Sequence, residues 1–387
     1  MSPPLLLPRA DGSLAPYTPA RRAAPAAVSG PITSRIAYAA VHVVADPLAD
    51  VNPTLDTALD WEATVAYRRY LWSLGLAVAE AMDTAQRGMG LDWATVKELV
   101  RRVQAEARRT PGALVGYGAG TDQLVPSDRV TVADVEAAYE EQIGFIEGEG
   151  GRVILMASRA LAACARSADD YVKVYGRILE QVRRPVIIHW LGDMFDPALA
   201  GYWGSRDLDR AMEVCLAILK DHAAKVDGLK LSLLDCQREI AMRRRLPAGV
   251  RMYTGDDFDY PTTILGDGTH RSDALLGIFD AIAPVASAAL HALDAGDVAR
   301  YQAIFGPTVP LSRHVFRDPT RFYKTGVVFL AYLNGHQSHF RMVGGMESAR
   351  SVVHLAELFR LADQAGVLRD PDEAAERLRR VLAVAGI

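Results

Sequence analysis

Eight short apolar runs recur along this chain, and longer amphipathic stretches separate them. The runs are Ile36–Val44, Ala77–Met82, Leu114–Tyr117, Val153–Met156, Val186–His189, Gly228–Leu231, Val250–Tyr253 and Ala274–Ile278. Their length and content of β-branched residues read as strands buried on both faces. Trp61–Trp72, Trp93–Ala107, Val130–Glu147, Ala168–Gln181, Leu208–Ala224 and Pro284–Ala295 carry apolar residues at three- and four-residue spacing and read as helices. Asp92 and Thr131 stand where N-caps belong. Strands alternating with helices predict an α/β fold, a (β/α)8 TIM barrel. A doubly wound sheet is the rival, but no GxGxxG follows the first strand.

Residues 34–300 are assigned to the barrel. Residues 301–387 read as a helical extension, with helices over Phe322–Asn334, Met346–Ala365 and Asp372–Ala385. Residues 1–33 form a Pro/Ala-rich arm, either lying on the body or disordered. Within it, Ala10-Asp11-Gly12 suits a hairpin turn.

The 387 residues, half of them hydrophobic, suffice for a large core, and a net charge of −4 without basic or acidic blocks points away from nucleic acid. Three cysteines without CxxC spacing argue for a reducing compartment rather than a disulfide framework. Pro3 and Pro4 precede the run Leu5-Leu6-Leu7, too short for a signal-peptide core, and no apolar run reaches the roughly 18 residues of a membrane span. The expectation is a cytoplasmic protein.

One residue breaks the apolar pattern. Lys230 stands in Val226-Asp227-Gly228-Leu229-Lys230-Leu231-Ser232, inside a strand. Burial disfavours an ammonium and lowers its pKa, and the free amine is a nucleophile toward carbonyls. Lys230 is therefore a lysine paired to a carboxylate, an edge lysine reaching solvent, or a covalent catalyst.

Over roughly residues 35–365 a series of motifs follows in order: Leu59-Asp60-Trp61-Glu62 through Leu74-Gly75-Leu76, Leu114-Val115-Gly116-Tyr117-Gly118, Pro185-Val186-Ile187-Ile188-His189, Val226 to Lys230, Thr254-Gly255-Asp256-Asp257, Ala283-Pro284 and Ala295-Gly296-Asp297. Their order and spacing together resemble the dihydrodipicolinate synthase / N-acetylneuraminate lyase superfamily of Schiff-base barrels. The run from His189 to Pro197 is similar to a dihydrodipicolinate synthase-like branch labelled a domain of unknown function. The resemblance implies that Lys230 forms an imine and that no other cofactor is needed. It also implies a small keto acid or sugar-derived substrate, and a homodimer or homotetramer. Departures argue against dihydrodipicolinate synthase itself. Asp83-Thr84-Ala85-Gln86-Arg87 replaces the Gly-Thr-Thr-Gly-Glu run that holds the carboxylate of pyruvate. His189 replaces a tyrosine, Ser158-Arg159 a tyrosine pair, and Met194 an arginine.

His189 is read as a proton relay, against a buried histidine bonded to backbone. At the second strand's mouth, Thr84 orients the donor. Asp83 would repel a carboxylate unless a cation such as Arg87 intervenes, and Glu80 points either into the barrel or to a helix. Arg159 is either a bidentate anion ligand or half of a salt bridge. His42 ends strand one. Asp256, Asp257 and Asp259 follow strand seven, and Gly255 and Asp256 are favoured there. Trp190 is assigned to the pocket and Trp203 to packing. His336 and His339 are expected at the surface or in a subunit contact. The expected activity is a class I carbon–carbon lyase. The alternatives are a dehydratase or hydratase using the same imine, or a metal-dependent isomerase or aldolase holding a divalent ion with His42, Glu80, Asp83, His189 and Asp256. A sugar-binding scaffold without chemistry also stays open, though retention of Lys230 argues against it.

Overall fold

The structure is a computed structural model that describes residues 5–387 apart from 23, 26, 27, 29 and 128. Pro3 and Pro4 lie outside the described residues. The chain opens with an antiparallel hairpin, β1 (Leu5–Pro8) and β2 (Leu14–Tyr17), turned through the Asp11-Gly12 segment. Leu5 and Leu7 bury their side chains, and the Tyr17 hydroxyl donates to Asp363 on the helix Val352–Ala365. The described part of residues 18–33 also lies on the body: the Ala20 and Thr33 amides donate to Asp363 and Asp294.

Eight parallel strands follow and close on themselves: β3 (Ala37–Ala40), β4 (Ala77–Glu80), β5 (Val115–Ala119), β6 (Arg152–Leu155), β7 (Val186–Leu191), β8 (Val226–Ser232), β9 (Arg251–Thr254) and β10 (Asp273–Leu276), with β10 pairing back onto β3. The fold is the (β/α)8 TIM barrel with a helical C-terminal part. All eight strands fall within or overlap the runs read from the sequence. The long helices do too, and the caps at Asp92 and Thr131 are present, the latter as a reciprocal capping box with Asp134. Six short helices went unread: Arg159–Cys164, Cys236–Arg243, Tyr260–Leu265, Ile278–Ala281, Val298–Phe305 and Thr308–Val315. One or two turns carry too little periodicity to declare themselves.

Successive strand residues face opposite sides, and the barrel has two separate apolar clusters as a result. Tyr38, Ala40, Ala77, Ala79, Ile154, Ile187, Tyr253 and Leu275 fill the interior. Their alternates, such as Ala39, Val78, Ile188, Leu229 and Leu231, face the helices in a larger cluster that runs on through Leu355, Phe359 and Leu378 of the C-terminal helices. Position 228 faces inward with Lys230, and glycine suits it because a Cβ there would lie 2.6 Å from the Tyr253 ring. Among the described residues no helix is long and apolar enough to cross a membrane.

Parity also decides Glu80. It shares the outward face with Val78 and meets Arg68 of the helix Trp61–Ser73 in a fork, Nε–Oε2 2.8 Å and Nη2–Oε1 2.9 Å. Both side chains are fully buried. Removing one partner of such a pair strands the other charge. Glu80→Gln is expected to lower unfolding stability by about 3–5 kcal/mol, measured by urea denaturation.

Candidate active site

Inward positions near the C-terminal ends of β7 and β8 hold His189 and Lys230, directly paired in register and two residues short of the last pair, Leu191 and Ser232. Both are buried, and 7 % of Lys230 stays exposed. Among the described residues no carboxylate comes within 4.0 Å of the Lys230 amine and no hydrogen bond reaches it. Burial pulls its pKa below the ordinary lysine value, and the nearby Asp257 and Asp83 partly oppose that pull. Burial in turn pushes the Asp257 carboxyl above the usual carboxylate range, against its bond from the Ile278 amide and the attraction of Lys230. Lys230 is thus neither an edge lysine nor a closely paired one.

His189 Nε2 lies 3.2 Å from the Ser232 hydroxyl, two residues beyond Lys230. A Cβ on Gly255 would sit 2.2 Å from that hydroxyl, so the absent side chain leaves room for it. His189 Nδ1 has no hydrogen-bond partner and lies 3.9 Å from Asp83 Oδ2. Burial, and then the Lys230 charge, hold the imidazole well below the ordinary histidine value, so it rests neutral. No described residue hydrogen-bonds the Asp83 carboxylate.

A cavity of about 390 Å³ opens beside these groups. His189, Asp83, Arg87 and Arg159 are on its wall, with Asp122, Asp196, Phe195, Arg321 and Lys324. Lys230 stands next to that wall rather than on it, and its cross-strand neighbour His189 forms the boundary. Arg87 is fully engaged, donating to Asp122, Gln142 and the carbonyls of Ala81 and Gly118. It is therefore not the cation that offsets Asp83. That position belongs to Lys324, whose ammonium Asp83 stabilises. Arg159 pairs through Nε with Asp196, and its terminal nitrogen packs where Gly88 lacks a Cβ.

Several sequence-predicted residues stand elsewhere. His42 Nδ1 meets Asp280 at 2.8 Å and its ring packs on Tyr67, off the cavity wall. Trp190 faces outward with the parity of Ile188 and packs on Trp203 at 5.9 Å, in the core and not the pocket. Trp203 packs among Tyr171, Tyr175 and Tyr202, as expected. Asp256 is buried and accepts from the Phe258 and Asp259 amides, whereas its neighbour Asp257 faces Lys230. His336 is half-buried and packs against Tyr67 and Tyr70, and burial pushes its pKa down to about 3. The five residues considered for a metal do not converge, and among the described residues no group of three His, Cys, Asp or Glu could hold an ion.

Two wall or lid residues escaped the sequence reading. The Tyr323 hydroxyl is 2.8 Å from Thr84 Oγ1, and its ring stacks on Phe316 and meets Phe195 edge-on. Lys324 follows it. Both begin the helix Tyr323–Leu333, in which every residue is buried. The signal was weaker than the one that marked Lys230, because Thr325 and Gly326 separate Lys324 from the apolar run over 327–333.

The family model for a protein of unknown function, DUF993, matches residues 5–387. The chain belongs to this family. No curated protein matches it. Among solved structures, this DUF993 member is similar to the Escherichia coli K12 prophage protein YagE of the dihydrodipicolinic acid synthase family, in complex with pyruvate. Identity is 13 %, coverage 86 % of this chain and 99 % of that one, and the TM-score 0.66. A putative dihydrodipicolinate synthetase from Pseudomonas aeruginosa gives 16 %, 83 %, 98 % and 0.59 in the same order. Dihydrodipicolinate synthase from Aquifex aeolicus gives 13 %, 91 %, 98 % and 0.60. At these identities the likeness is one of fold. The DUF993 chain shares the barrel fold of these dihydrodipicolinate synthase family structures.

The charge arrangement around Lys230 has a measurable consequence. Asp257→Asn keeps an oxygen for the Ile278 amide but removes the charge that favours the ammonium. The Lys230 titration is expected to move to lower pH, raising the free-amine fraction at pH 7 several-fold, as read by NMR of the 13C-methylated lysine. An unmoved titration would remove Asp257 as the electrostatic partner.

Proposed function

We propose that this protein is a class I, lysine Schiff-base lyase that makes or breaks a carbon–carbon bond in a keto acid or oxidised sugar derivative. The observation that carries this reading is Lys230. It is an inward-facing amine near the C-terminal end of a barrel strand, dry enough to lose its proton and without a carboxylate at bonding distance. The fold shared with the dihydrodipicolinate synthase family, and the pyruvate bound to YagE, support the substrate class.

The free amine attacks the substrate carbonyl to give a neutral carbinolamine, which takes up a proton and loses water to become a protonated imine. The imine accepts the electron pair of the adjacent breaking bond, while a base takes the hydroxyl proton from the departing fragment, which leaves as an aldehyde or ketone. The remaining enamine is reprotonated at carbon and hydrolysed, which frees Lys230. His189 suits the relay. It rests neutral, with Nδ1 unoccupied and facing Asp83, and Nε2 beside Ser232. A proton received on one nitrogen can leave from the other. Thr84, held by the Tyr323 hydroxyl, orients the donor at the neighbouring strand end. The lysine supplies the electron sink, so the reading requires no further cofactor.

Borohydride reduction in the presence of pyruvate, longer 2-keto acids and keto sugars, followed by peptide mass mapping, tests the proposal. A stable adduct on the peptide carrying Lys230 is expected, and it should vanish in Lys230→Met. No adduct with any of these carbonyl compounds would sink the reading. For the compound that traps, product masses distinguish cleavage from dehydration. His189→Asn is expected to slow turnover by about 10²–10⁴-fold while leaving the trapped adduct detectable.

A further inference from the structure

Four cations and three carboxylates are on the cavity wall, and they do not pair off evenly. Asp122 is taken by Arg87 and Asp196 by Arg159. Only Asp83 remains to face two cations, Lys324 and Arg321. The Arg321 guanidinium is exposed, rests 4.8 Å from the centroid of the Phe322 ring and donates to no described acceptor. Lys324 is 97 % buried, given its 3 % exposure. Its ammonium donates to the Met89 sulfur at 3.3 Å and the Arg321 carbonyl at 3.1 Å, which leaves one N–H free. Among the described residues no carboxylate lies within ion-pair distance of it. A buried ammonium served only by a thioether and a carbonyl is costly to keep unless something anionic visits it.

Two further observations point the same way. Arg159 uses Nε for Asp196, and no acceptor meets its two terminal nitrogens, which remain available for a fork-like contact. Lys324 also stands in the first turn of an eleven-residue helix that has no side-chain cap, so the positive end of the helix adds to its field.

We propose that Lys324, Arg321 and Arg159 form an oxyanion-binding subsite for a carboxylate or phosphate group of the ligand, on the wall of the cavity that His189 also lines. The proposal rests on the preceding function only for what occupies the reactive end. It narrows the substrate to a carbonyl compound with an anionic group reaching the C-terminal helical segment. The subsite depends on that segment, since both Lys324 and Arg321 come from it.

Calorimetric titration of inorganic phosphate and, separately, malonate into the full-length protein tests the subsite. The variants are Lys324→Met, Lys324→Arg and Arg321→Gln, each checked for folding by circular dichroism. At least one anion is expected to bind the wild type. Lys324→Met should weaken that binding by about tenfold or more, Arg321→Gln several-fold, and Lys324→Arg should retain most of it. The preferred probe distinguishes phosphate from carboxylate. No binding of either anion to the wild type overturns the proposal, as does affinity unchanged in the folded variants. Should Lys324→Met not fold, the exposed Arg321→Gln still decides. Borohydride trapping of pyruvate in the same proteins keeps the two ideas apart. Trapping with no anion binding leaves the lyase and removes the subsite, and anion binding without trapping does the reverse.

Discussion

Closure of the parallel sheet is the constraint on which the rest of this molecule depends. Once β10 pairs with β3, no barrel strand has a free edge, every barrel strand ends at the same mouth, and each of their side chains points either into the barrel or toward the helices. Glu80 and Lys230 show what that choice does. Glu80 faces outward, meets Arg68 and becomes part of the scaffold. Lys230 faces inward, where no counter-ion is at bonding distance. The same closure that dries its amine leaves the mouth as the barrel's open side.

The sequence displayed the barrel because doubly buried strands are short apolar runs with punctuation at both ends, and eight of them in alternation admit few topologies. It displayed Lys230 and His189 for the same reason, since a polar residue stands out in such a run. It was less legible wherever one residue of register matters. Trp190 adjoins His189 in sequence, yet it faces the opposite side and packs with Trp203. Asp256 and Asp257 are adjacent, and only the latter approaches Lys230. Counting inward positions on from Tyr253 would have separated them. The contacts that complete the mouth were harder still. Thr84 and Tyr323 are 239 positions apart, and their hydrogen bond follows from how the C-terminal helices dock, which no local pattern encodes.

The two buried lysines explain why Asp83 can stand at this mouth without a hydrogen bond. Its charge favours the ammonium of both Lys230 and Lys324, and His189 Nδ1 lies 3.9 Å away. Asp257 also favours the Lys230 ammonium, but with Asp83 shared between the two lysines and Arg321 unpaired, the cavity wall is short of negative charge. On the proposed reading, an anionic group arriving at Lys324 corrects that shortage. At an effective dielectric of about 20, opposite unit charges attract by roughly 1.5–2 kcal/mol even at a separation of about 10 Å. The carbinolamine at Lys230 is neutral and the imine that follows is a cation, so the added negative charge favours the step that creates the electron sink. On the same reading, a ligand bringing its own anion to Lys324 would assist the chemistry at Lys230. An exposed lysine, screened by water and salt, would gain little from the same arrangement, so the dryness imposed by the barrel and the helices over it is what lets the two lysines act on each other.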